Sequence, residues 1–216
     1  MPLMTKQKKS NTPPQDEIVD GKLHPGRTMT EEEFLNWVDS ETRAEWIDGE
    51  VIIIPPVSLD HDKTTRWVCT LIEDFLEVHG GGTVTSDVLI RFGKLRRLRA
   101  PDIAVTLPSR GQIVKERHIE GPPDLVAEIV SADSVARDWQ QKYIEYAKAG
   151  VKEFWVIDRL AGQMEAYTLK AGKYEQIAEK GGKIASVVLS GFYLRPEWVL
   201  GSWKTSRRAA AKELGV

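Results

Sequence analysis

The sequence predicts an α/β (α+β) fold in which a mixed central β-sheet is flanked by helices. Three observations predict it. The apolar run "LVAEIV" (residues 125–130) is followed by a long amphipathic segment and then by "EFWVID", giving the order strand, helix, strand. A second amphipathic segment ends in Gly80-Gly81-Gly82. Short runs rich in β-branched residues, separated by turn-forming residues, fill much of the remaining chain.

Each element has a local reason. In "TMTEEEFLNWV", Thr30 with Glu33 three residues on forms a capping box, and Phe34, Leu35, Trp37 and Val38 supply the apolar stripe of a short helix. "RAEWIDGEVIIIP" reads as two strands joined by Asp48-Gly49, a dipeptide suited to a turn with positive φ, and Pro55-Pro56 stops the second strand. A longer helix starts near Ser58, carries His61, Val68, Ile72 and Phe75 on one face, and ends at the glycine cluster. "TVTSDVLIRF" and "LRAPDIAVTL" read as strands, and "PDLVAEIVS" as a buried one. "SADSVARDWQQKYIEYAKAGV" reads as a helix closed by Gly150. After "EFWVID", the runs "QMEAYTL" and "KYEQIAE" read as meander strands, and "KIASVVLSGFYL" is expected to close the sheet.

The 216 residues suit one domain with tails: a disordered leader over 1–26, a domain over 27–200 and a basic tail over 201–216. Hydrophobic residues make up 41% and charged residues 29%, and no apolar stretch approaches the roughly 20 residues of a membrane span. The single cysteine, Cys69, excludes an internal disulfide and points to a cytoplasmic location. A net charge of −2 argues against a protein that coats nucleic acid non-specifically, because such affinity rests on many cationic contacts to phosphates. Two basic clusters remain: Lys94, Arg96, Arg97 and Arg99, and Lys204, Arg207, Arg208 and Lys212. The plain reading of each is solvated surface.

Glu128 is out of place in a run otherwise fit for a core, since an ionised carboxylate costs several kcal/mol to bury uncompensated. Asp102, after Pro101, opens another strand that the sheet should bury. Two carboxylates on neighbouring strands suit a Mg²⁺ site that cleaves phosphodiesters, with substrate phosphate and waters as the other ligands. On the following helix, at about 100° per residue from Val135, Trp139 falls near 40°, Tyr143 near 80° and Tyr146 near 20°, while Lys142 falls near −20°. Lys142 therefore sits at the edge of the apolar face, where it can reach a carboxylate on the adjacent strand or snorkel to water. Plainer readings stand beside these. Asp102 could bond nearby backbone, Glu128 and Lys142 could form a structural ion pair, His61 could be a cap or core histidine, and Glu45 could be an exposed hairpin residue.

Taken in order, "RAEWIDGEVIIIPP", "VSLDHDK", "RAPDIAV", "GPPDLVAEIVSADSVARDWQQKYIEYAKAGVKEFWVID" and "LSGFYL" resemble the Uma-two family of restriction-endonuclease-like proteins, over about residues 28–200. The resemblance implies the fold of the PD-(D/E)xK nuclease superfamily, with metal held by acids on two adjacent core strands. Pro101-Asp102 is similar to the family's PD, Glu128 to its second acid and Glu45 to its upstream glutamate. The superfamily lysine two residues after the second acid is replaced by Val130, which makes Lys142 the candidate for a migrated lysine.

The expectation that follows is a Mg²⁺- or Mn²⁺-dependent endonuclease acting on DNA. Asp102 and Glu128 would bind the metal, Glu45 would complete its shell, and Lys142 would position water or neutralise developing charge. His61 would contact phosphate or move a proton, and Arg97 and Arg99 would meet flanking phosphates. A homodimer is expected to use exposed Trp198 and Trp203. The alternative is a catalytically inactive nuclease-fold binding or assembly module, favoured by the acidic net charge, by Val130 and by the lack of a base-reading element. A hydrolase of another phosphate ester is a third reading.

Overall fold

The computed structural model describes residues 18–19, 22–23, 28–39, 42–130, 137–201 and 205–216. It divides into two compact units, residues 1–55 and 56–216. The division falls at Pro55-Pro56, which lacks the amides needed to continue a strand.

In the first unit, β1 (Ile18–Val19) pairs antiparallel with β2 (Lys22–Leu23). Part of the expected leader is therefore strand, and residues 1–17 lie outside the described residues. Helix α1 (Glu31–Trp37) is capped as its sequence predicts: Thr30 Oγ1 accepts the Glu33 amide and Glu33 Oε2 accepts the Thr30 amide at 2.8 Å. The hairpin of β3 (Ala44–Ile47) and β4 (Glu50–Ile53) turns at Asp48 and Gly49, whose φ angles are 50° and 101°. Lys22 of β2 pairs with Ile52 of β4, and Phe34, Trp46 and Val51 form the buried apolar part.

The second unit begins with α2 (Leu59–Val78), whose N-cap Ser58 accepts the His61 amide. The strands β5 (Thr83–Thr85), β6 (Ile90–Phe92), β7 (Arg97–Arg99), β8 (Ile103–Thr106), β9 (Ile119–Glu120) and β10 (Leu125–Val130) follow. Next come α3 (Arg137–Ala149), β11 (Glu153–Asp158), β12 (Gln163–Lys170), β13 (Lys173–Gln176), β14 (Ile184–Ala185), β15 (Tyr193–Leu194), α4 (Pro196–Leu200) and α5 (Arg207–Leu214). The central sheet has the order β13-β12-β11-β10-β8-β5. Only β10 and β11 run parallel in it, joined through α3, and its other pairs are antiparallel. It is the mixed sheet with flanking helices that the sequence predicts.

Helices cover both faces. Leu125, Ala127 and Ile129 of β10 join Val68, Leu71, Ile72 and Phe75 of α2 in one apolar cluster. Val126, on the opposite face, joins Tyr146 of α3, Phe154 and Val156 in another. This period of two is why β10 reads as a continuous apolar run, and each fully buried large side chain contributes about 1.5–3 kcal/mol.

Three expectations about strands are corrected, and the C-terminal segment carries a helix. "TVTSDVLIRF" is two strands, β5 and β6, separated by a turn in which Asp87 adopts a left-handed φ of 54°. "LRAPDIAVTL" is likewise β7 and β8, interrupted around Pro101, and β6 pairs with β7 outside the central sheet. "KIASVVLSGFYL" does not close the central sheet, because β14 and β15 pair with each other. The expected basic tail contains α5, which buries Ala210 and Ala211 in the α2-side cluster and ion-pairs Arg207 with Asp74 of α2.

Trp198, expected at an exposed interface, is only 4% exposed and packs against Trp67 and Tyr193. Trp203, residues 131–136 with Val135, and the side chain of Trp139 lie outside the described residues.

Candidate active site

The site is built where β8 begins beside β10. Their antiparallel register runs Leu125↔Val105, Val126↔Ala104 and Ala127↔Ile103, and stops there. Beyond it, Asp102 Oδ2 accepts the Ile129 amide at 2.6 Å, so a side chain continues the hydrogen bonding that the strand gives up at Pro101. Oδ1 of the same carboxylate lies 3.1 Å from His61 Nε2, on the first turn of α2. His61 is thus a buried partner of an acid, on the inner face that its helical spacing predicts.

Glu128 projects toward α3. Its Oε2 accepts from Lys142 Nζ at 3.0 Å and its Oε1 accepts from the Tyr146 hydroxyl at 2.7 Å. Lys142 and Tyr146 stand four residues apart, so one face of α3 presents both donors to one carboxylate. Lys142 therefore reaches the neighbouring strand, as its place at the edge of the apolar face allows. Tyr146 was legible as a core-facing residue. Its hydroxyl contact was not, although its position one turn after Lys142 is the signal that could have found it.

The next residue of α3 face, Glu145, holds the two arginines expected to meet phosphates. Arg99 Nε donates to Glu145 Oε2 at 2.8 Å, and Arg97 Nε and Gln141 Nε2 donate to Oε1 at 3.1 and 2.9 Å. Arg99 is 1% exposed, so the surface role expected for it is corrected: its guanidinium is an internal partner of α3. Arg97 shares that carboxylate and also donates to the carbonyls of Leu95 and Arg96. Burial by itself would raise the Glu145 pKa. The hydrogen bond and charge of Arg99, with the bonds from Gln141 and Arg97, outweigh it and hold the carboxyl below its ordinary value.

Other polar residues serve the frame. Glu153, fully buried at the start of β11, accepts the amides of Val187 and Val188 at 2.7 and 2.8 Å and the indole N–H of Trp155. Burial raises its pKa despite those bonds. Asp124 accepts the Leu107 amide and pairs with Lys152. Cys69 is pushed up to about 12 by burial and by Glu73, Asp87 and Asp102, which keeps it a thiol. Glu45, in β3 of the first unit, is 3% exposed, not the exposed hairpin residue that alternation alone would make it.

Among the described residues, no three His, Cys, Asp or Glu side chains form a metal-binding group. No helix among them is long and apolar enough to cross a membrane.

Comparison with known proteins bears on the family and the fold. Residues 31–197 match the family Uma2, described as "Putative restriction endonuclease". No curated protein matches the sequence significantly. Among solved structures, the chain is similar to "a putative nuclease belonging to DUF820" from Anabaena variabilis ATCC 29413. The TM-score is 0.68 and the identity 22%, over 81% of this chain and 98% of that one. At that identity the likeness speaks for the fold. With the family match spanning most of its length, the chain belongs to the Uma2 family, and it shares the fold of that solved structure.

Proposed function

We propose that the protein is a metal-dependent endonuclease that hydrolyses DNA phosphodiester bonds. The observation that carries this reading is the grouping of Asp102, Glu128 and Lys142. The Asp102 carboxylate bonds the amide of the residue after Glu128, and Lys142 Nζ lies 3.0 Å from Glu128. The donor chemistry fits a hard divalent cation such as Mg²⁺ or Mn²⁺, which takes one or two carboxylates and completes its shell with water and substrate phosphate. Asp102 and Glu128 would hold it. When bound, such an ion supplies Lewis-acid polarisation of the phosphate and a lower pKa for an attacking water.

The chain's own groups do the rest. Lys142 supplies the cation that Val130 does not, positioned to orient water and to offset charge developing on the phosphate. His61, held by Asp102 at its ring and by the Ser58 cap at its amide, would contact the phosphate or carry a proton.

The test is cleavage of supercoiled plasmid with Mg²⁺ or Mn²⁺. The wild type is expected to nick or linearise it, and Glu128→Gln, Asp102→Asn and Lys142→Met are each expected to abolish this while remaining folded. A folded wild type that neither cuts DNA nor binds Mn²⁺ overturns the reading.

One observation favours a second reading, a nuclease fold kept as a binding or assembly module. All four oxygens of Asp102 and Glu128 already have protein partners: His61, the Ile129 amide, Lys142 and Tyr146. On that reading, DNA or partner binding survives the three substitutions and metal has no effect.

A further inference from the structure

We infer that Tyr146 is a positioning residue of the site, whose hydroxyl divides the two oxygens of Glu128 between a fixed one and one that can be turned onto a metal. The inference rests on the metal-dependent reading above and adds a residue to it.

The geometry assigns the two oxygens different partners. Oε1 accepts from the Tyr146 hydroxyl at 2.7 Å, and Oε2 accepts from the Lys142 ammonium at 3.0 Å. These partners differ in mobility. The Tyr146 ring is fully buried, tilted against Phe92 at 5.8 Å and edge-on to Phe154 at 5.4 Å, so its hydroxyl has no freedom to follow a moving carboxylate. The lysine is a point charge on a flexible stem, which can keep its attraction while shifting. A carboxylate held this way keeps Oε2 in one orientation and does not spin about its terminal torsion, which is otherwise broad. Hydrogen-bonded partners behind a metal-ligating carboxylate orient it, and their loss weakens metal affinity by about 10–100-fold.

Tyr143 provides an internal control. It lies on the same helix and in the same aromatic group, but its hydroxyl donates to the Tyr174 carbonyl and not to an acid. Tyr146→Phe and Tyr143→Phe each remove one hydrogen-bonded phenol hydroxyl from α3, the first buried and the second half-buried, and leave the rings. Only the first should alter how Glu128 meets a cation.

The experiment is calorimetric titration of wild type, Y146F and Y143F with Mn²⁺ alone, together with the Mn²⁺-induced rise in melting temperature of each. The second readout remains valid if Y146F melts lower, because each variant serves as its own reference. We expect Mn²⁺ affinity to fall about 10–100-fold in Y146F, with a reduced thermal shift, and to match wild type in Y143F. Equal affinity in Y146F and wild type overturns the inference while leaving the metal-dependent reading intact. An equal loss in both variants overturns it too, since the effect would then come from helix packing. A wild type that does not bind Mn²⁺ overturns both the inference and the reading beneath it.

Discussion

The carboxylate of Asp102 and the amide of Ile129 meet at 2.6 Å, one step past the last pair of the β8–β10 ladder. The acid at the centre of the candidate site is thus also the end of a sheet. Asp102→Ala should leave the Ile129 amide buried without its acceptor and cost about 1–3 kcal/mol. Asp102→Asn keeps an acceptor oxygen and should melt close to wild type while losing metal-dependent cleavage. Urea unfolding of the two variants checks this, and makes the asparagine variant the proper probe of chemistry.

Lys142 and Glu128 form a buried pair, each side chain 9% exposed. Removing one member strands the other charge, so Lys142→Met and Glu128→Gln should each destabilise the protein, by about 3–5 kcal/mol where a full charge remains buried. The double variant should recover much of that loss. A double-mutant cycle in denaturant measures the coupling, and simple additivity would show that the pair is not a unit.

For Glu145 the sign of the pH dependence follows from its lowered pKa. An acid whose folded pKa lies below its unfolded value contributes stability that is present above the ordinary value of 4.5 and is lost as pH falls through the folded value. Glu145→Gln should lower stability at neutral pH and flatten that acid limb. Unfolding midpoints measured from neutral pH to below 4.5 for both proteins decide it.

Glu153 should behave oppositely. Burial raises its folded pKa above 4.5, so the folded state holds the proton more tightly and stability declines as pH rises from the unfolded value through the folded one. In Glu153→Gln this decline should disappear, and the Val187 and Val188 amides should exchange faster with solvent as one acceptor oxygen is lost. Hydrogen exchange at those two amides reports the second effect directly.

What was legible in the sequence was local or periodic. The Thr30 cap, the helix start near Ser58, the Asp48-Gly49 turn, the inner face of α2 and the reach of Lys142 all follow from spacing within a single element. What escaped depends on register between distant strands. The partner of Arg99 lies 46 residues away on α3, and nothing in a run of basic residues distinguishes an arginine headed for a buried glutamate from one facing solvent. The split of β5 from β6 rests on one residue's left-handed backbone, and the anchoring of residues 187–188 on one buried acid, Glu153. Tyr146 stood between the two cases: its face could be read, but the atom its hydroxyl meets could not.

The double duty of Asp102 reaches beyond this chain. Because its side chain finishes a sheet edge, selection for folding alone would retain an acceptor oxygen there, from aspartate or asparagine, after any loss of chemistry. An aspartate at this place is therefore a poor witness to activity among relatives. The tyrosine hydroxyl of α3, which reaches the glutamate from outside the sheet, is the group at which a living site and a retired one would part company.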